Sequence, residues 1–248
     1  MTRPSAVLLA ACVLAAPAAP VVSAALLAWI APVESAVPGA PTASFAPIVS
    51  VAHAAAEQSR EDALAALGKP DAEARRQAAT RLGEVGTMTD APALLRALHD
   101  PDGEVRSRAE RAVWQVWSRA GDPEIDALFQ QGLEQMNRGL ADAAIETFST
   151  IVGKKPEFAE GWNKRATIYF LIGDYDKSLA DCAEVVKRNP QHFGVLSGYG
   201  QIYLRLDEPE RALDYFERAL KINPNLRQVE VVIGELRRII VEKRKGTI

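Results

Sequence analysis

Asp174, Asp176 and Asp181 precede Cys182 within GDYDKSLADCAEVVKRNP, residues 173 to 190. Carboxylates two residues apart beside a thiol are the raw material of a cation loop, or of a redox or nucleophilic cysteine. A calcium loop needs more acidic ligands at alternating positions, a central glycine and a bidentate glutamate, and this stretch does not supply that frame. His53, His99 and His192 stand far apart, and no H-E-x-x-H occurs. Neither a G-x-S-x-G motif nor a phosphate-cradling glycine loop is present, and GYG at 198–200 lies inside a helical pattern. The expectation is no enzyme, no cofactor and no metal. In its place Gly173 ends one helix, Asp174 caps the next, Asp176 sits on the favourable end of its dipole, and Cys182 is a buried, inert thiol.

The elements that set those positions recur. Pro156, Pro190 and Pro224 are spaced by 34 residues, and each stops a helix because it lacks an amide donor and restricts the residue before it. The first unit reads Leu128, Gly132, Ala144, Phe148, Pro156; the second Trp162, Ala166, Tyr169, Ser178, Cys182, Pro190; the third Leu196, Gly200, Tyr203, Ala212, Phe216, Pro224. Each Gly or Ala on a first helix (A) is expected to face a small residue on the second (B), so that the backbones approach closely. This pattern, over about 125–224, resembles the tetratricopeptide repeat family; Gln131, Gln135 and Arg165 depart from it at positions usually apolar or aromatic.

Upstream, KPDAEARRQAATRLGEVG and DPDGEVRSRAERAVWQVW align with a shift of 31, pairing Pro70 with Pro101, Asp71 with Asp102 and Arg75 with Arg106. The apolar positions Ala74, Ala78, Leu82 and Val85 have helical spacing. This resembles HEAT-like repeats of the phycobilisome-lyase type. Asp71 and Asp102 are expected to cap helices and Arg75 and Arg106 to reach neighbouring turns, and Trp114 with Trp117 to fill a seam between unlike repeats. Val229, Val232, Ile233, Leu236, Ile239 and Ile240 make one apolar face of a terminal helix, the cover a last repeat needs. The fold expected is all-α: an α-α superhelical solenoid of two HEAT-like pairs (57–121), three tetratricopeptide pairs (122–225) and a C-terminal capping helix (226–248).

Arg3 is followed by an uncharged run up to Glu34. A basic residue, an apolar stretch and then small residues is the pattern of a secretory signal. Residues 1–31 are therefore expected to be a signal peptide or a membrane anchor (5–31), and 32–56 a Pro/Ala-rich linker. Cleavage after Ala24, after Ala54, or none all export the remainder to the periplasm or cell envelope. LAAC ending at Cys12 resembles a lipoprotein box, but the apolar stretch before it is short and the chain after it stays apolar.

A net charge of −3 gives no electrostatic reason to bind nucleic acid. What remains is a protein or peptide partner. In the tetratricopeptide family, partners lie along inner positions of helix A, which in this register are Phe129, Leu133, Met136 and Asn137, then Asn163, Thr167, Phe170 and Leu171, then Ser197, Gln201, Leu204 and Arg205. The family's clamp for C-terminal carboxylates would need basic and Asn residues where this chain has Phe129, Leu133, Lys164, Gly194 and Gly198. The function implied is an exported interaction scaffold or adaptor, with Phe129, Met136 and Phe170 as anchors. The alternative, suggested by the lyase-like repeats, is an accessory subunit of an enzyme or cofactor-attachment system.

Overall fold

The computed structural model describes residues 57 and 59–246, among which all regular structure is helical. The signal or anchor expected at 1–31 and the linker at 32–56 lie outside the described residues. A helix over residues 59–66 (α1) and Ala72–Val85 (α2) form the first pair. A 3-10 turn, Met88–Asp90, leads into Ala91–Ala97 (α3) and then Gly103–Trp117 (α4). Three further pairs follow: Pro123–Asn137 (α5) with Ala141–Lys154 (α6), Ala159–Ile172 (α7) with Tyr175–Arg188 (α8), and Phe193–Arg205 (α9) with Pro209–Ile222 (α10). Arg227–Arg244 (α11) closes the array.

The Asp and Arg rows of the first section order its turns. Asp71 accepts from the Ala74 amide and Asp102 from those of Glu104 and Val105, satisfying helix-start donors that have no partner within the helix. Arg75 donates to the carbonyls of Lys69 and Pro70, and Arg106, one repeat later, to those of Asp100 and Pro101. Arg75 also holds the Asp100 carboxylate through two bonds of 2.7 and 3.0 Å. The equivalent bond from Arg106, at 2.9 Å, goes to Asn225, just before α11.

Each A helix admits the B helix of its own pair. An added Cβ on Gly132 would lie 2.6 Å from the Phe148 ring, and one on Gly200 would lie 2.7 Å from Phe216. The expected facing of small on small is thus corrected: these glycines make room for the aromatic ring of helix B. Where helix A carries Ala166, helix B has the smaller Cys182, and the Ser178 hydroxyl donates to the Ala166 carbonyl at 2.8 Å. Two departures from the family pattern find polar partners. Gln135 accepts from Thr147, and Arg165 grips Asp181 through two 2.8 Å bonds while also donating to Ser149 of the preceding pair.

The core shows how the halves meet. One cluster joins the first tetratricopeptide pair, through Ile125, Phe129, Phe148 and Ile151, to Phe158 and Ile168 of the second. The other runs from Leu82, Leu94 and Val113 of the HEAT-like section through Trp117 to Phe193, Leu196 and Phe216 of the third pair, and on to Ile233 and Leu236 of α11. The HEAT-like unit therefore shares its core with the third repeat. Two more bonds lock it to the end of α10 and the loop before α11: His99 Nε2 lies 3.2 Å from the Ile222 carbonyl, and Asn225 Nδ2 donates to the Leu98 carbonyl at 3.0 Å.

Candidate interaction surface

The chemistry raised by residues 173–190 is absorbed by structure. Gly173 ends α7 at φ 84°, and Asp174 caps α8 by accepting from the Lys177 amide. Asp181 is buried and committed to Arg165. Cys182 is buried, which pushes its thiol up to about 12, far from a reactive thiolate.

The inner positions divide into buried and open sets. Phe129 has no exposed surface; its ring meets Phe148 and Phe158 edge-on at 5.9 and 5.3 Å. It is core, and its expected role as a groove anchor is corrected, because position 129 turns toward helix B once α5 and α6 close. Asn163 is corrected likewise: it is buried, and its amide donates to Glu160 at 3.0 Å. Ser197 is buried with its hydroxyl on the Phe193 carbonyl. Leu133 and Met136 are half-buried against the first cluster. Thr167 is half-buried and donates to the Asn163 carbonyl at 2.9 Å. Gln201 and Leu204 are also half-buried, whereas Asn137 and Arg205 are exposed. Phe170 is half-buried, with the Arg205 guanidinium 6.0 Å from its ring centre and Tyr175 at 5.9 Å. Beside it Leu171 is 60% and Ile172 52% exposed, and Leu206 ends the equivalent stretch of α9. Of the expected site residues, the structure brings Phe170 and Arg205 together in one open patch at the C-terminal ends of α7 and α9.

The N-terminal halves of these helices are covered from within the chain. Trp114 stands 5.7 Å from the Lys164 ammonium, and a Cβ on Gly194 would come within 2.5 Å of its ring. Two of the five clamp places thus lie against one indole, and a third, Phe129, is core. Trp117 stacks on His192 with ring centres 4.4 Å apart, and both tryptophans pack on Phe193. Under them lies a polar cluster that the sequence reading passed over. His192 Nδ1 accepts from the Val195 amide, which leaves the ring proton on Nε2, facing Glu160. Burial alone pushes the Glu160 carboxyl up, but Lys164 at 3.6 Å, with His192 and Asn163, outweighs it and holds the group below the usual carboxylate range. The only sequence signal for this cluster is His192 at a helix start.

Family models match at both sections: HEAT repeats over residues 48–114 and tetratricopeptide repeat over residues 157–225. A TPR repeat-containing protein of Rhizobium etli is 31% identical over 142 residues, covering 57% of this chain and 69% of that protein. The chain belongs to the tetratricopeptide repeat family. Within it, tetratricopeptide repeat protein 12 of Mus musculus is 28% identical over 102 residues, or 41% of this chain, and the chain spans only 14% of its length. Among solved structures, the Sgt2 TPR domain from Aspergillus fumigatus superposes with a TM-score of 0.48 at 20% identity, over 51% of this chain and 85% of that one. A crystal structure of MamA superposes with a TM-score of 0.44 at 18% identity, over 70% and 84%.

Proposed function

We propose that this tetratricopeptide repeat protein is an interaction scaffold that holds a protein or peptide segment against the C-terminal halves of its A helices. The observation that carries this is the half-buried Phe170 ring with the Arg205 guanidinium 6.0 Å from its centre, beside the exposed Leu171 and Ile172 at the end of α7. Such a surface suits a segment with apolar anchors and an acidic or carbonyl-rich flank for Arg205. Membership of the family supports the same reading. A ligand-binding role for the HEAT-like Asp and Arg row has less to recommend it, because those side chains are spent on caps, turns and the seam. The work is done outside the cytoplasm, a reading supported by the basic residue and long uncharged run at the N-terminus. The test is crosslinking in the native host with wild type beside a Phe170→Ser/Leu204→Ser variant. Loss of the captured protein in the variant alone supports the patch; equal capture by both refutes it.

A further inference from the structure

Consecutive helices joined by short turns run antiparallel, so α5, α7, α9 and α11 point the same way and their C-terminal ends share one rim of the solenoid. The large apolar side chains left in solvent gather there. Among the described residues, all of them except Met88 and Val231 stand near or just past the end of one of these four helices: Leu140, Leu171, Ile172, Leu206, Ile239 and Val241. Leu206 follows Ile172 by one repeat of 34; at the next place Ile240 is buried and Val241 beside it is exposed. The charges of the rim are uneven. Asp174 is held by Lys177 at 2.6 Å and Glu208 by Arg211 at 2.8 Å. Asp142, Asp176 and Glu210 lie in the first turns of B helices, where the helix dipole offsets them, and Asp207 stands beside Leu206. At the end of α11 the balance is cationic. Arg237 and Arg238 pair with Glu217 and Glu235, and Lys243, Arg244 and Lys245 follow after Glu242, exposed and outside those pairs.

We propose that this rim, from Ile172 through Leu206 to Val241 and the basic end of α11, seats on an anionic lipid surface. A bilayer interface accepts isolated aliphatic tips at any spacing and meets exposed ammonium and guanidinium groups with phosphate. A protein partner of ordinary size needs a contiguous patch of about 800 Å² with a dry centre, and single tips on successive turns do not make one. The uncharged run before Glu34 gives the second reason. Read as an anchor over residues 5–31, it holds the body on the linker 32–56, whose reach as a flexible chain is roughly 30 Å. Weak affinity of the rim then acts at high local concentration. The tether rests on that anchor reading; the rim rests on its own side chains. The inference goes beyond the inner surface proposed above and sets that surface beside the membrane.

The test uses the full chain, Cys12→Ser, reconstituted into phosphatidylcholine vesicles with 30 mol% phosphatidylglycerol. An environment-sensitive fluorophore is attached through Ile172→Cys, Val241→Cys or, away from the rim, Met88→Cys; Cys182 is buried and takes no label. The probes at 172 and 241 should shift to the blue and be quenched by spin-labelled lipid, and the probe at 88 should do neither. Lys243→Glu/Arg244→Glu/Lys245→Glu should lower the ratio of inserted to free rim at least about tenfold, as should vesicles of phosphatidylcholine alone. These three side chains are exposed, and unchanged circular dichroism checks that the fold survives. Phe170→Ser/Leu204→Ser should insert like wild type, so loss of the inner-surface partner leaves the rim standing. If that variant fails to insert, the inner surface meets the lipid and the proposal falls. It falls equally if the probes at 172 and 241 stay unquenched, or if neutral vesicles and the charge-reversed chain insert as well as the rest. A blue shift without lipid quenching that grows with protein density also overturns it, because the rim then meets a second copy.

Discussion

Glu160 and His192 are fully buried, and the cluster is kept whole by Lys164, Asn163 and the face of Trp117. A carboxyl whose folded pKa lies below its unfolded value of about 4.3 stabilises the fold fully above that value. That contribution is lost as pH falls through the folded pKa, because the unfolded chain then binds the proton first. Glu160→Gln should cost about 3–5 kcal/mol at neutral pH by leaving Lys164 without its buried partner, and should flatten the acid limb of stability. Urea denaturation at pH 7 and at decreasing pH reads both; an unchanged acid limb would assign the acid sensitivity to another carboxylate. The glycines provide a second contrast. Gly200→Ala forces a Cβ to 2.7 Å from Phe216 and should cost about 1–3 kcal/mol, whereas Gly234→Ala meets nothing and should stabilise by about 0.5–1 kcal/mol through helix propensity. Thermal melts of the two variants should shift in opposite directions.

At the scale of elements, α4 joins the two halves. Its Trp114 and Trp117 reach across to His192 and Phe193 at the start of α9, while Arg106, at its other end, reaches Asn225 before α11. For Arg106, the Asn-Pro-Asn loop at 223–225 takes the place that Asp100 takes for Arg75. The stack of HEAT-like turns is thereby continued by a loop from the other repeat type. The double variant Trp114→Ala/Trp117→Ala should separate the halves, turning one denaturation transition into two. Amide exchange at 189–196 and 222–226 should rise with it. A single transition with unchanged exchange would mean that the loop bonds of Asn225 hold the seam without the indoles. Helix identity and order here were legible in sequence, down to the caps of Asp71, Asp102 and Asp174, because those depend on residues within one turn. The seam was legible only as two large aromatics with no local reason to be there. Their partners lie far along the chain, and no local pattern encodes which repeat they meet.

For the whole molecule, the fold-back of the HEAT-like unit decides what surface is left to a partner. It covers Lys164 and Gly194 and leaves Phe170, Leu171 and Arg205 open. Charge reversal at Arg205, as Arg205→Glu, should weaken capture of the partner without lowering the melting temperature, since the side chain is exposed. Equal capture would remove the cationic edge from the proposed surface. By itself, the sequence determined the all-helical class, the 34- and 31-residue registers and the buried position of Cys182. These follow from periodicity, proline placement and burial within one helix pair. Only the tertiary structure decided that Phe129 and Asn163 are interior, that a tryptophan covers two of the clamp places, and that Gly234 meets no neighbour among the described residues. Repeat register gives the direction in which a side chain points along its helix. Whether that direction ends in core, in a neighbouring unit or in solvent depends on the helices packed against it from distant parts of the chain.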